Sequence, residues 1–130
     1  MRIRYLIGLA AFALWPALAQ AQGQSTGDTS MQTTWDLYKV CSLPETDPQY
    51  ARAQAYCEGF LVAVVGYDYA ISNRKNLREF VCEPMGTTGD QGIATFVAWA
   101  AAHQQDQKLM SESPVYGAVR ALHSKWRCPQ

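Results

Sequence analysis

The chain has 130 residues, of which 48% are hydrophobic and 17% charged, and its 11 basic and 11 acidic residues give a formal net charge of 0. This balance excludes the basic surface expected of nucleic-acid-binding proteins and of proteins that bind acidic membranes. The length is that of a single domain.

Residues 1–21 are predicted to be a secretory signal peptide. Two arginines stand among the first four residues, an apolar stretch covers residues 5–15, and Ala17, Ala19 and Ala21 offer two overlapping A-x-A cleavage patterns. The stretch is shorter than the roughly 20 apolar residues of a transmembrane helix. We therefore expect a periplasmic protein that is not inserted in a membrane after cleavage. Its net charge would be −2, since cleavage removes both arginines and no acidic residue.

A polar leader and a short first helix follow the signal peptide. Residues 22–32 are predicted to be flexible, and residues 33–130 to be the folded domain. Thr33 and Asp36 have the spacing of a capping box, which predicts a helix over the sequence TWDLYKVC. Pro44 ends this helix.

The second helix is predicted to be the longest one and the centre of the core. Asp47 and Pro48 are a typical N-cap and first helical residue, and apolar residues then recur at helical spacing over residues 48–72. This period favours a helix over a strand for the run FLVAVV. Gly59 and Gly66 lie on nearly one face of the helix, and two interpretations stay open. They either admit a neighbouring backbone or are small residues that the helix tolerates.

The third helix is separated from the second by a charged connection. Leu77 and Phe80 in this connection are predicted to be buried beneath it. Thr88 and Gln91 repeat the capping-box pattern, which predicts a helix over residues 89–103.

The fourth helix completes the predicted fold. Ser113 and Pro114 have the pattern of an N-cap and first turn, and an apolar stripe continues from Val115 until Pro129 ends the helix. Four helices with short connections predict an all-α, single-domain, four-helix bundle-like fold.

Four cysteines, Cys41, Cys57, Cys82 and Cys128, lie in the exported part of the chain. An even number in a short secreted protein predicts two disulfides, and a disulfide sulfur is not a nucleophile. No C-x-x-C or H-x-x-x-H pair suggests zinc. If the third and fourth helices are antiparallel neighbours, Cys82 pairs with Cys128 and Cys41 with Cys57. Pairing of Cys41 with Cys128 and of Cys57 with Cys82 stays open, because spacing does not fix connectivity.

The sequence contains no motif that indicates a catalytic or metal centre. His103 and His123 are far apart in the chain and lie in no known catalytic motif, so we interpret both as helix-end or surface residues. Carboxylates such as Glu45, Asp106 and Glu112 are scattered and form no evident acid–base pair. We therefore predict no catalytic residue, cofactor or metal ligand, and no enzymatic activity.

The cysteines and their neighbours resemble a known family. The pattern consists of L-x-x-x-C, C-x-G-F, C-x-P-x-G-x-T with a following Gln, and a last helix with W-x-C-P, at Leu37, Cys41, Cys57, Gly59, Phe60, Cys82, Pro84, Gly86, Thr88, Gln91, Trp126, Cys128 and Pro129. It is similar to the Rap/Tai family of periplasmic immunity proteins. The resemblance implies a protein that binds and inhibits a peptidoglycan amidase toxin of a type VI secretion system. Where the family tends to have His-Pro-Glu after the third helix, this chain has His103, Gln104 and Gln105.

An inhibitor that blocks an active-site groove needs an exposed segment on a rigid base. We predict that segment 103–112 serves this purpose, with partner-binding residues Gln104, Gln105, Asp106 and Gln107. Leu109 and Met110 either fill a pocket of the partner or cover the protein's own core. The basic residues Arg74, Lys75 and Arg78 are the alternative surface.

Two further possibilities follow from size and export. A small, helical, disulfide-bonded periplasmic protein is also compatible with an acid-stress chaperone of the Hde type or another envelope binding protein. The sequence is also compatible with a homodimer.

Overall fold

A computed structural model describes residues 31–129, which form five α-helices and no β-strand. The helices are α1 (Thr34–Cys41), α2 (Tyr50–Lys75), α3 (Gly89–Ala102), α4 (Gln107–Met110) and α5 (Pro114–Lys125). The all-α prediction is confirmed, and the predicted helices correspond to α1, α2, α3 and α5. The predicted signal peptide and nearly all of the leader lie outside the described residues. Within residues 31–129 no helix has the length and apolar character needed to span a membrane.

Helix α1 begins where the capping box places it. The Asp36 amide donates to the Thr33 hydroxyl at 3.1 Å, and the Thr33 amide donates to the Asp36 carboxylate at 3.1 Å. Lys39 forms an ion pair with the same carboxylate at 2.9 Å. The hydrogen bond from Lys39, followed by that from Thr33, lowers the pKa of Asp36 from 3.8 to about 2. The negative charge at the first turn is therefore held in place by local contacts.

Helix α2 begins two residues later than predicted and ends three residues later. The Asp47 carboxylate accepts a hydrogen bond from the Gln49 amide at 2.7 Å, so it stabilises the turn before the helix and not the helix itself. At the other end Asn76 adopts a left-handed conformation with φ of 51°, and its amide donates to the Ser72 carbonyl. Asparagine tolerates this conformation, which ends a helix by satisfying its last carbonyls.

The core is centred on α3 and not on α2. Helix α3 packs against α1, α2 and α5, and it contributes the fully buried Phe96 and Ala100. Only Ala53, Cys57 and Leu61 of the apolar residues in α2 are buried. The prediction that α2 is the central helix was wrong, because one face of this helix is covered and the other is open to solvent.

The two glycines of α2 lie on its open side. A Cβ atom added to Gly59 or to Gly66 would meet no heavy atom within 4 Å. They do not admit a neighbouring backbone, and the interpretation as tolerated small residues is the correct one.

The connection between α2 and α3 has the opposite burial to that predicted. Leu77 and Phe80 are 59% and 62% exposed, whereas Val81 is only 3% exposed. The Asp68 carboxylate accepts hydrogen bonds from the amides of Phe80 and Val81 at 2.9 and 3.1 Å. An antiparallel bridge between Val81 and Arg127 fixes the same segment against the end of the chain. These backbone contacts turn Val81 inward, so Phe80 faces solvent.

Both disulfides follow the pairing favoured from the sequence. Cys41 and Cys57 join α1 to α2 with their Cα atoms 5.3 Å apart, and both are buried. Cys82 and Cys128 join the α2–α3 connection to the segment that follows α5, with a Cα separation of 4.9 Å, and both are partly exposed. The four described cysteines leave no free thiol.

Helices α1 and α5 approach each other closely at Gly117. Thr34 is fully buried, its amide donates to the Glu112 carbonyl at 2.8 Å, and its hydroxyl lies 3.2 and 3.3 Å from the carbonyls of Glu112 and Ser113. A Cβ atom on Gly117 would stand 2.3 Å from both Cγ2 and Oγ1 of Thr34. The contact therefore requires a residue without a side chain at position 117.

Candidate partner-binding site

The segment between α3 and α5 begins with a histidine that ends α3. The amide of His103 donates to the Ala100 carbonyl at 3.0 Å, and its ring Nδ1 donates to the Trp99 carbonyl at 2.7 Å. The imidazole also stacks on the Trp99 ring with a centroid distance of 4.5 Å. His103 is thus a helix-end residue, as its position in the sequence predicted.

The predicted partner-binding residues are exposed but differ in what holds them. Gln104 donates from Nε2 to the Tyr38 hydroxyl at 2.9 Å, which ties the segment to α1. The Asp106 carboxylate accepts from the Leu109 amide at 3.0 Å and is the N-cap of α4. The side chains of Gln105 and Gln107 make no hydrogen bond within the described part of the chain. Gln105 and Gln107 are therefore the side chains of this group that are free to bind a partner without loss of a structural contact.

Helix α4 is the one element that sequence reasoning missed. It comprises four residues, which is a single turn, so it has no apolar period to detect. The available signal was Asp106 at the N-cap position. This turn places Met110 in the core, where it is 4% exposed, and leaves Leu109 partly buried. Met110 thus covers the protein's own core, which settles one of the two roles considered for it.

The far side of the segment is anchored by Glu112. Its carbonyl accepts from Thr34 of α1, and its carboxylate accepts two hydrogen bonds from Arg120 of α5 at 2.9 and 3.1 Å. A two-point contact between guanidinium and carboxylate fixes both orientation and distance. Residues 104–107 are therefore exposed on a base that is bonded to both α1 and α5. The Thr34 contact joins residues 78 positions apart, and no sequence motif indicates the pair of Glu112 and Arg120.

The alternative basic surface lies at the opposite end of α5. Arg74, Lys75 and Arg78 are exposed at the end of α2 and in the connection that follows. Arg78 borders a shallow cavity of about 310 Å³ together with Arg127 and His123. The His123 Nδ1 donates to the Phe80 carbonyl, which gives this histidine a structural contact. Arg78 thus lines the same cavity as Arg127, whereas Arg74 and Lys75 do not line it.

The carboxylates considered for catalysis have structural contacts or stand alone. Asp47 and Asp68 accept backbone hydrogen bonds, and Glu112 is paired with Arg120. Among residues 31–129 one group of possible metal ligands lies close together, formed by Glu79, Cys82 and Cys128. Both sulfurs in it belong to a disulfide, so a single carboxylate is left. Within residues 31–129 these carboxylates therefore serve structural contacts or stand apart from one another.

Comparison with known proteins identifies one family. The family model described as Rap1a immunity proteins matches residues 33–128, which include all five helices and both disulfides. Searches of curated proteins and of solved structures gave no significant match.

Proposed function

The chain belongs to the family of Rap1a immunity proteins, and from this premise we propose that it binds and inhibits a peptidoglycan amidase toxin of a type VI secretion system. Immunity proteins act on a toxin as their protein partner, and the family is generally non-enzymatic. The proposed location is the periplasm, which the chain would reach through the signal peptide at residues 1–21. An amidase acting on the cell wall is accessible from that compartment.

The observation that carries the proposal is the exposed segment 104–107 on a fixed base. A flexible loop loses conformational freedom when it binds, and this loss weakens association. Here Gln104 is bonded to Tyr38, Asp106 caps α4, and Glu112 is held by Arg120. Much of the ordering is therefore present before the partner arrives. Such a segment is suited to entering a groove of fixed shape.

The chemistry of the segment fits inhibition by occlusion. Gln105 and Gln107 offer amide donors and acceptors, which can bond to polar groups of an active-site groove without introducing a nucleophile. Occlusion needs no reaction of the inhibitor, and it agrees with the structural engagement of both histidines. The inhibitor would exclude substrate and water from the amidase centre.

The test compares two exposed glutamines that bear no side-chain hydrogen bond within residues 31–129. Gln105→Arg places a bulky cation at the tip of the segment, and Gln49→Arg makes the same change before α2, far from it in the sequence. Each protein, purified from periplasm, is used to capture amidases, and hydrolysis of purified peptidoglycan by the captured enzyme is measured at increasing inhibitor concentration. We expect Gln105→Arg to raise the half-inhibitory concentration at least about tenfold, since bulk in a closely packed contact costs about 1–3 kcal/mol. Gln49→Arg should behave as wild type.

Two results would contradict the proposal. If the wild-type protein leaves every captured amidase fully active at equimolar concentration, the inhibitor function fails. If wild type inhibits and Gln105→Arg inhibits equally well, the contact lies elsewhere, with Arg74, Lys75 and Arg78 as the next candidates. Light scattering on the same preparations tests the homodimer.

A further inference from the structure

A second concave surface lies at the end of the molecule opposite to segment 104–107. A cavity of about 560 Å³, open to solvent on one side, is lined by the middle of α2, by residues 79–89 and by the facing ends of α3 and α5. Its floor is formed by buried apolar side chains of three different segments: Leu61 of α2, Val81 of the α2–α3 connection, and Leu122 and Trp126 at the end of α5. The proposed inhibitory contact does not use this cavity.

Three carboxylates surround this apolar floor. Glu58, Glu79 and Glu83 line the cavity, and no lysine, arginine or histidine is among its lining residues. None of the three forms a salt bridge to another residue between 31 and 129. The cavity is therefore apolar at its base and negatively charged around it.

The position of Glu58 depends on a glycine. A Cβ atom on Gly89 would stand 2.1 Å from Oε1 of Glu58, so the absence of a side chain there lets this carboxylate lie against the first turn of α3. The partial positive charge of a helix N-terminus favours a carboxylate in that place. The Glu58 carboxylate thus lies at the edge of the cavity, next to the first turn of α3.

Large apolar side chains extend the cavity onto the surface. Val62 and Tyr69 line it and are 59% and 61% exposed. Exposed apolar side chains next to a groove with a polar rim are typical of protein–protein contact sites. A free small cation would leave this outer apolar surface uncovered, whereas a protein partner would cover it.

We propose that this cavity binds an arginine or lysine side chain presented by the protein partner. The aliphatic stem of such a side chain would pack on Leu61 and Trp126, and its charged end would reach the carboxylates around them. A neutral apolar side chain would desolvate the carboxylates without compensation, and an acidic one would be repelled. Lys125, whose ammonium lies 5.3 Å from the centroid of the Trp126 ring, is not among the residues that line the cavity.

This inference rests on the proposed function for the identity of the partner, and it adds a second point of contact. The first turn of α3 lines the cavity, and segment 104–107 follows its last turn, so the length of a 14-residue helix, about 20 Å, separates the two along α3. Interfaces of standard size bury roughly 800 Å² on each partner, which corresponds to a patch of about 30 Å across. The separation is within the reach of one such interface.

The first arm of the test needs no toxin. The chain purified from periplasm is labelled with ¹⁵N and titrated with n-butylguanidinium, which has an aliphatic stem and a cationic end. We expect saturable shifts of the Gly92 amide and the Trp126 indole with a Kd on the order of 1–20 mM. Guanidinium alone, at equal ionic strength, should give weaker shifts because it has no stem. The double variant Glu58→Gln, Glu83→Gln should raise the Kd about fivefold.

A control variant and a competing ligand test whether the cavity is the site that binds the guanidinium compound. Glu45→Gln removes an exposed carboxylate outside the cavity and should leave the Kd unchanged. Shifts that do not saturate, or a double variant that binds as well as wild type, would overturn the proposal. Binding of putrescine about tenfold tighter than n-butylguanidinium would also overturn it, since the cavity would then be a site for free polyamines.

The second arm uses the amidase inhibition assay. The double variant of Glu58 and Glu83 should raise the half-inhibitory concentration about fivefold, while Glu45→Gln should not change it. An unchanged value in the double variant would overturn the assignment to the toxin. If instead wild type inhibits no amidase but still binds n-butylguanidinium, the proposed function fails and the cation site stands.

Discussion

Replacing Gly117 by alanine is expected to destabilise the protein, although alanine is the better helix former. In an open position of a helix the exchange stabilises by up to about 1 kcal/mol. At Gly117 the new methyl group would stand 2.3 Å from two side-chain atoms of Thr34, and 2.8 Å from its Cβ. Extra volume in a packed core costs about 1–3 kcal/mol. A shift of Thr34 also weakens the hydrogen bond that its hydroxyl shares between the Glu112 and Ser113 carbonyls, whose net contribution is about 1 kcal/mol. The sum is a loss of about 1–3 kcal/mol.

The measurement is thermal denaturation at neutral pH with both disulfides intact. For a domain of this size the loss corresponds to a decrease in Tm of about 5–20 °C. Gly66→Ala is the matched control, because a Cβ there meets nothing within 4 Å, and it should be as stable as wild type or more stable. Thr34→Ala should cost less in the Gly117→Ala background than in wild type, since it removes two of the three close atoms. Equal stability of Gly117→Ala and Gly66→Ala would refute the close approach of α1 and α5.

The remaining predictions concern acid stability, reduction and the histidines. Because the pKa of Asp36 is lowered to about 2 in the folded state, the unfolded chain binds more protons below pH 4, so this stabilisation is present above about pH 4 and lost as the pH falls toward 2. Asp36→Asn should lower Tm at pH 7 but have less effect near pH 2. An equal decrease in Tm at both pH values would contradict the assignment of this stabilisation to the Asp36 charge. Dithiothreitol followed by alkylation and mass spectrometry should show the partly exposed Cys82–Cys128 bridge reduced before the buried one, and the reverse order would refute its greater accessibility. Replacing His103 and His123 together by glutamine should leave the circular dichroism spectrum and the inhibition nearly unchanged; complete loss of activity with an intact fold would point to a catalytic or metal role.

The parts of the fold that the sequence predicted are those governed by local contacts. The capping boxes at Thr33 and Thr88 involve residues three positions apart, and both are present in the structure. Asp47 followed by Pro48 was misleading, because an aspartate can stabilise a turn as readily as a helix start. Its carboxylate bonds to the Gln49 amide two residues on, and α2 begins only at residue 50.

Burial and the support of the candidate site depend on tertiary contacts that no local sequence pattern indicates. Phe80 was expected in the core, and only the contact of its amide with Asp68 shows why it faces outward. Position 117 gave no signal of its own, since the constraint on it comes from Thr34. The exposed segment 103–112 could be located from the sequence, but its anchor, the pair of Glu112 and Arg120, could not.

The contact of Thr34 with Glu112 and Ser113 also bears on the order in which the domain can assemble. These partners are 78 and 79 positions apart, so a chain that emerges amino end first must expose its first helix long before the residues that cover it exist. The bridge between Cys41 and Cys57 spans only 16 positions and can close early. It would then keep α1 beside α2 until α5 is present to cover Thr34.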